Sequence, residues 1–437
     1  MPRVLMISYY FPPLGGMGSV RSAKFAAYLP RFGWEAVVVA PLKGASYEDR
    51  SLHVPEARVY RTRNLQPGRL LQGARRVESA PPGKSGDKVR LQPIRSFVHR
   101  WLYRPDGQIG WYPFAIAAAR QAMRDGQCDI IFSSSFPITA HLVARRLHHE
   151  TGVPWVAEFR DLWTDWGAFG PRRQRLDEAM ERSILKEATE VVTVSPAFAE
   201  TLLGRGASRV TVVTNGFDPA DFSELKSTEH DETVITYLGT YYPDHQDLVT
   251  AVRAIGSLAR EGALPRLRLR FVGRMPSGLR EAIVESGLGD AVEDTGFVSH
   301  EESIRHICGS TLLLHAGTTS VGANAIRGHI PGKTFEYLGT GRPILFVGHS
   351  DGDAAKLLSM FSSVKIVGPG DVESARAAVL SLLGQGTPTR PSLLLPYTSH
   401  SITRDLATVF ERARLGCGNS VARTPGERPA SLEARAP

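Results

Sequence analysis

The sequence predicts an α/β fold of two similar units, each built on a doubly wound parallel sheet. Three observations carry this expectation. Strands written as unbroken apolar runs alternate with helices of about ten residues or more, the grammar of a parallel sheet covered on both faces. The alternation stops at a strong turn signal, Asn215-Gly216-Phe217-Asp218-Pro219, and restarts beyond it. A length of 437 residues is also too great for one core and comfortable for two.

The elements follow in order. Arg3–Ser8 is a buried strand with Val4, Leu5, Met6 and Ile7 in a run. A loop, Tyr9–Gly18, precedes a helix capped by Ser19 and reaching Leu29, and Trp34–Ala40 is the next strand. Further strands are expected at 130–133, 155–158, 191–194 and 210–213, with helices at 112–124, 139–149, 175–187 and 196–203. After the polar stretch 223–232, strands are expected at 234–238, 267–272, 292–294, 311–314, 343–347 and 364–366. Helices fit 247–259, 279–286, 302–307, 333–338, 354–360 and 372–383. The expected division is a first domain over 1–218, a second over 219–400, a last helix at 401–414, and a Pro-, Arg- and Glu-rich tail from 415 to 437 without fixed structure.

Composition excludes several classes. Hydrophobic residues are 42% and charged residues 22%, as in globular chains. Cys128, Cys308 and Cys417 are odd in number and far apart, which argues against a disulfide framework and against zinc. A net charge of +8 admits nucleic acid, anionic lipid or phosphorylated substrates. No nucleic-acid module or aromatic–basic stacking platform is visible, so no nucleic-acid partner is expected. No apolar run is long enough to span a bilayer and no signal-peptide pattern opens the chain, so a cytoplasmic location is expected.

The segment 57–105 is different in character, with twelve Arg or Lys residues against Glu78 and Asp87. On Ile94–Arg104, Ile94, Phe97, Val98, Trp101 and Leu102 share one helical face, flanked by Arg95, His99, Arg100 and Arg104. Such a face suits either packing on its own domain or peripheral contact with anionic lipid at the inner membrane surface.

The chemistry concentrates in Pro331–Leu345, where a loop enters a short helix that ends at Gly341 and is followed by an apolar strand. The start of a helix offers free N–H groups and the positive end of a dipole, which suits phosphate. Lys333 adds a cation there. Glu336, about one turn on, is placed to accept hydrogen bonds from two ribose hydroxyls. A structural lysine–glutamate pair is the plainer reading of the same residues.

Taken together, Tyr10-Phe11-Pro12-Pro13-Leu14-Gly15-Gly16-Met17-Gly18-Ser19, Asn215–Asp218, Gly296-Phe297-Val298-Ser299-His300 and Pro331–Leu345 resemble, in order and spacing, the family 4-like glycosyltransferases. That resemblance spans the chain to about Arg414. It implies the GT-B architecture, two facing Rossmann-like domains. It implies a nucleotide-sugar donor held by the second domain, a saccharide, lipid-linked or small-molecule acceptor received by the first, retention of configuration, and no cofactor or metal. Under it, Glu336 binds ribose, and Lys333 and Thr334 bind the diphosphate, with Arg274 a second candidate cation. Gly15 and Gly16 admit the donor closely, and Arg160 and Asp161 stand near the reacting centre.

Three positions depart from the pattern. Relatives carry a histidine where Arg160 stands, which leaves the acid–base role open between a reacting Asp161 and an Arg160–Asp161 pair tied into the loop. Relatives carry a glutamate at the position of Gly328, so Thr318, Thr319, Asn324, Arg327 and His329 become the candidate contacts to the donor sugar. The loop Gly239–Gln246 lacks the usual arginine and lysine. Two other readings remain: a sugar-nucleotide 2-epimerase of the same fold, and a non-catalytic basic binding protein.

Overall fold

Both parallel sheets form. The computed structural model describes residues 1–44, 47–52, 54, 58–65, 104–166, 171–223, 232–319, 323–384 and 392–416. In the first unit, β1 (Arg3–Ser8), β2 (Glu35–Pro41), β3 (Arg58–Thr62), β4 (Ile130–Ser135), β5 (Trp155–Phe159), β6 (Glu190–Thr193) and β7 (Val210–Val212) lie in the order β3-β2-β1-β4-β5-β6-β7. In the second, β8 (Val234–Leu238), β9 (Arg268–Val272), β10 (Val292–Gly296), β11 (Leu312–Ala316), β12 (Ile344–Val347) and β13 (Val364–Val367) lie in the order β10-β9-β8-β11-β12-β13. Each sheet reverses its winding beside its first strand, between β1 and β4 and between β8 and β11. Ligands of open α/β sheets lie at that crevice, beyond the carboxyl ends of the strands.

The apolar runs are buried as parallel strands require: all of β4, β5, β6, β11 and β12 is buried, as is all of β1 but its first residue. The strand β3, Arg-Val-Tyr-Arg-Thr, was not expected. Among the described residues it pairs only with β2, and it has exposed Arg58 and Arg61, the half-polar character of a sheet edge rather than of a core strand. The first helix starts at Met17, three residues earlier than a cap at Ser19 implies. Ser19 is buried inside it and does not cap it; Gly16 precedes the helix at φ 97° with no side-chain cap, and its carbonyl takes the Ser19 and Val20 amides. The Ile94–Arg104 helix lies outside the described residues except for Arg104, which is held by Asp177 Oδ1 at 3.0 Å and the Leu176 carbonyl at 2.7 Å. Residues 417–437 also lie outside them. Among the described residues no helix is long and apolar enough to cross a membrane.

The last helix, Ser399–Gly416, does not stay with the unit that precedes it. The chain returns at Phe217–Thr398, where the Phe217 amide donates to the Tyr397 carbonyl (3.0 Å) and the Ser399 amide to the Phe217 carbonyl (2.7 Å). The helix then covers one face of the first sheet, with Ile402, Leu406, Val409 and Phe410 against Val4, Met6, Val38 and Phe132. Phe410 is wedged between Trp34 and Phe132, ring centroids 5.3 and 5.5 Å away. Arg412 donates from Nε and Nη2 to the two oxygens of Glu190, at 2.8 and 2.9 Å. Phe410→Ala is expected to cost about 3–5 kcal/mol, the range for truncating a fully buried phenylalanine. Denaturant unfolding followed by tryptophan fluorescence measures it.

Candidate functional site

The cleft between the two sheets has a volume of about 460 Å³, within the range of small-ligand sites. Gly16, Met17, Tyr47 and Asp49 wall it from the first unit. Gly239, Gly273, Phe297, His300, His329, Gly332, Lys333 and Glu336 wall it from the second. Three strand ends are drawn together to make its floor. The Gly239 amide donates to Val272 O (2.7 Å) and the Gly273 amide to Gly296 O (2.8 Å). Gly273 has φ 127°, and a Cβ there would lie 2.6 Å from the Gly239 carbonyl oxygen, so only glycine lets β8 and β9 end this close.

Lys333 and Glu336 come from the Lys333–Thr340 helix, whose Gly341 closes the carboxyl end in the left-handed conformation (φ 71°). Lys333 Nζ donates to the Leu238 carbonyl at 2.8 Å and stands 3.8 Å from the centroid of the Tyr237 ring. Burial pulls this ammonium down to about 7, with Glu336 opposing. Burial likewise raises the Glu336 carboxyl above its ordinary range, and His300 opposes that rise. Glu336 has a side chain only 5% exposed and reaches His300 Nδ1 at 3.6 Å. So the helix brings the two expected donor contacts into one cleft.

Other expected contacts are distributed differently. Thr334 faces the core: its hydroxyl is bonded to His315 Nε2 at 2.7 Å and its amide to Pro331 O at 3.0 Å, so it does not reach the cleft. Gly16 lines the cleft, but Gly15 does not. The space that a Gly15 side chain would fill holds the Tyr47 ring, 2.3 Å from the position of a Cβ. Arg274 is exposed beside Gly273 and is not among the residues lining the cleft. Arg160 forms no ion pair with Asp161. Its guanidinium binds the Ser135 carbonyl at 2.7 Å and the Phe136 carbonyl at 3.0 Å, bracing the loop after β4. Asp161 instead acts electrostatically on His329, whose Nδ1 is bonded to Thr318 Oγ1 at 2.8 Å.

Of the sugar candidates, Thr319 is tied by its amide to the His245 carbonyl (2.8 Å), and Asn324 is exposed. Arg327 is turned away: it pairs with Glu200 and lines a second cavity, near Asp353 and Lys356. Gly328 explains the missing glutamate. A Cβ at this position would lie 2.2 Å from the Phe198 ring and 3.0 Å from Ser195 Oγ, because the loop presses directly on the first unit. Gly328→Glu is expected to destabilise the fold by roughly 1–3 kcal/mol or more through overpacking, seen as a lowered melting temperature.

A set of charged residues was not anticipated from the sequence. His300 Nε2 lies 3.2 Å from Asp221 Oδ2. Lys24 Nζ donates to Asp221 Oδ1 and Asp218 Oδ2, both at 2.7 Å, and the Tyr28 hydroxyl donates to Asp218 at 2.9 Å. The local signal was Ser299-His300-Glu301-Glu302, a capping box that starts the His300–Cys308 helix and aims His300 at the cleft.

Residues 15–216 match the model of the glycosyl transferase 4-like domain. No curated protein matches the chain. Among solved structures, the sucrose-phosphate synthase of Thermosynechococcus elongatus is 16% identical, with 96% of this chain and 98% of that one covered and a TM-score of 0.59. The E. coli trehalose-6-phosphate structure bound with UDP-2-fluoro glucose is 12% identical, with 95% and 97% covered and a TM-score of 0.57. The UDP-GlcNAc 2-epimerase of Neisseria meningitidis bound to UDP-GlcNAc is 12% identical, with 94% and 100% covered and a TM-score of 0.51. Identities this low carry the likeness of fold, which transferases and epimerases share. The chain thus has the GT-B fold, and its first half, residues 15–216, is similar to the glycosyl transferase 4-like domain.

Proposed function

We propose that this protein transfers a sugar from a nucleotide-diphosphate sugar to an acceptor hydroxyl, with retention and without a bound metal ion, in the biosynthesis of a polysaccharide, glycolipid or glycosylated metabolite. One observation carries the reading. Lys333 and Glu336 stand one helical turn apart at the head of a single helix, and both face a cleft walled by the two domains. A cation and a carboxylate at that spacing match the diphosphate and the ribose of one ligand. Negative charge grows on the departing diphosphate as the glycosidic bond breaks. A cation aimed there therefore stabilises the transition state more than the ground state. Asp161, on the first-domain side near His329, is the group we assign to orienting the acceptor hydroxyl, and Arg160 holds its loop. We place the reaction in the cytoplasm, with Ile94–Arg104 as the contact to the inner membrane face.

A thermal-shift screen against UDP, GDP, ADP, dTDP and their common sugar conjugates tests this, because a ligand that binds only the folded state raises the melting point by mass action. One nucleotide series should stabilise, and its sugar conjugate should be consumed when acceptor is supplied. No shift with any of them overturns the reading. A second reading, 2-epimerisation, is favoured by His300 and His329, which bring two titratable imidazoles into the cleft. Epimerised donor formed without acceptor would establish it instead.

A further inference from the structure

We propose that His300 is a positioning residue that clamps the Glu336 carboxylate and ties it, through Asp221 and Lys24, to the first domain, so that ribose engagement and the seating of the two domains are coupled. This rests on the reading of Glu336 as the ribose contact.

The geometry is that of a bridge with three anchors. His300 Nδ1 faces Glu336 Oε1 at 3.6 Å, on the cleft-lining helix. Nε2 faces Asp221 Oδ2 at 3.2 Å, in the Pro219–Phe222 turn that leads out of the first domain. The His300 amide donates to Asp49 Oδ2 at 2.8 Å, in a first-domain loop. Asp221 is then held by Lys24 of the Met17–Tyr28 helix. The imidazole is 12% exposed, and both its ring nitrogens face a carboxylate. An imidazolium hydrogen-bonds Asp221 and attracts Glu336 as an ion pair, whereas the neutral ring carries no charge to hold Glu336.

Four groups face His300 from the elements around it: Asp221, Glu336 and Lys24 by side-chain charge, and Asp49 through the backbone. Burial draws the imidazole pKa down, Asp221 and Glu336 outweigh it, and the net shift is upward, with Lys24 opposing. The clamp is therefore complete below the raised pKa and is lost as pH rises through it.

A carboxylate pinned from behind presents its free oxygen edge to the ligand in one orientation. Without the clamp, Glu336 loses its fixed direction and the cation that opposes its protonation. The ribose contacts weaken while the phosphate end, built on Lys333, is untouched.

Two measurements test this. The first needs no nucleotide. NMR titration of His300 in the free protein should give a pKa above the ordinary imidazole value, falling in Glu336→Gln and again in Asp221→Asn. A pKa unchanged in both variants overturns the clamp whatever the protein's activity. The second uses calorimetry with the nucleoside diphosphate that stabilises the wild type, its 2′,3′-dideoxy analogue, and inorganic diphosphate. His300→Gln should weaken the nucleoside diphosphate about tenfold at pH 6, the scale of one charge-assisted contact. That deficit should shrink at pH 9, and binding of the dideoxy analogue and of inorganic diphosphate should be unchanged. Equal losses with all three ligands would mean a general structural defect and refute the coupling. If Glu336→Gln weakens binding and His300→Gln does not, the clamp fails while the ribose assignment stands. If no nucleoside diphosphate binds the wild type, the functional reading fails and the proposed coupling with it, while the NMR titration still reports separately on the imidazole–carboxylate contact.

Discussion

Glu336→Ala is expected to lose most of the affinity for a nucleoside diphosphate while leaving affinity for inorganic diphosphate near that of the wild type. On the proposed reading the ribose offers two hydroxyls to the Glu336 carboxylate, and hydrogen bonds to a charged group are worth about 1.5–3 kcal/mol each. Losing both weakens binding by two orders of magnitude or more. The fold should survive, because among the described residues the carboxylate makes no hydrogen bond that holds a strand or helix in place, and its ion-pair partner is His300 at 3.6 Å. Stability gives an independent signature. Burial raises the Glu336 pKa in the folded protein, so the folded state holds this proton more tightly than the unfolded chain does. The group's stabilising contribution is complete below the unfolded pKa and is lost as pH rises through the folded value. The wild type should therefore lose stability relative to Glu336→Gln over that window. Calorimetric affinities and melting curves between pH 4 and 8 check both parts. Unchanged nucleotide affinity in a folded Glu336→Ala protein would remove the assignment.

Lys333→Met is expected to reduce turnover by roughly a hundred- to a thousandfold, the effect of deleting one group that stabilises developing negative charge. KM should change much less, since the ammonium meets its strongest partner only as the diphosphate departs. A proton balance accompanies this. With its pKa pulled down to about 7, a large share of Lys333 is neutral in the empty cleft above neutral pH. A diphosphate beside it favours the charged form and raises the pKa. Binding at pH 8 should therefore take up a fraction of a proton from buffer, and this uptake should vanish in Lys333→Met. Calorimetry in buffers of different ionisation enthalpy measures it directly. Uptake persisting unchanged in the variant would locate the titrating group elsewhere.

Legibility from sequence followed the range of the interactions. The central strands of both sheets were readable because parallel strands are apolar on both faces, so Val4–Ile7 or Leu312–Leu314 announce themselves without neighbours. That Lys333 and Glu336 share one helix was readable because that helix is bounded by local punctuation. The edge strand β3 was hidden because its arginines face outward and sit within a basic stretch. Thr334 was misjudged because a helix start says nothing about which side faces the core, and here His315, on a neighbouring strand, claims the hydroxyl. Arg327 was drawn away by Glu200, a residue of the other domain. The set linking Glu336 to Lys24 was invisible for the same reason. Its members come from four distant parts of the chain, and no local pattern marks a carboxylate at 221 as the partner of a histidine at 300.

The return of the Ser399–Gly416 helix to the first sheet bears on how the protein is made. As the chain leaves the ribosome, β1 to β7 emerge with one apolar face only partly covered, by the Met17–Tyr28 helix, because the Ser399–Gly416 helix that completes the cover is encoded after the whole second unit. At translation speeds of about 5–20 residues per second, the stretch from Val212 to Ser399 takes roughly ten to forty seconds to appear. During that interval the part of this face that Ile402, Leu406, Val409 and Phe410 will cover is open to any other sticky surface in the cell. Chaperone capture of stalled chains should peak with lengths in that range and subside once Phe410 is released.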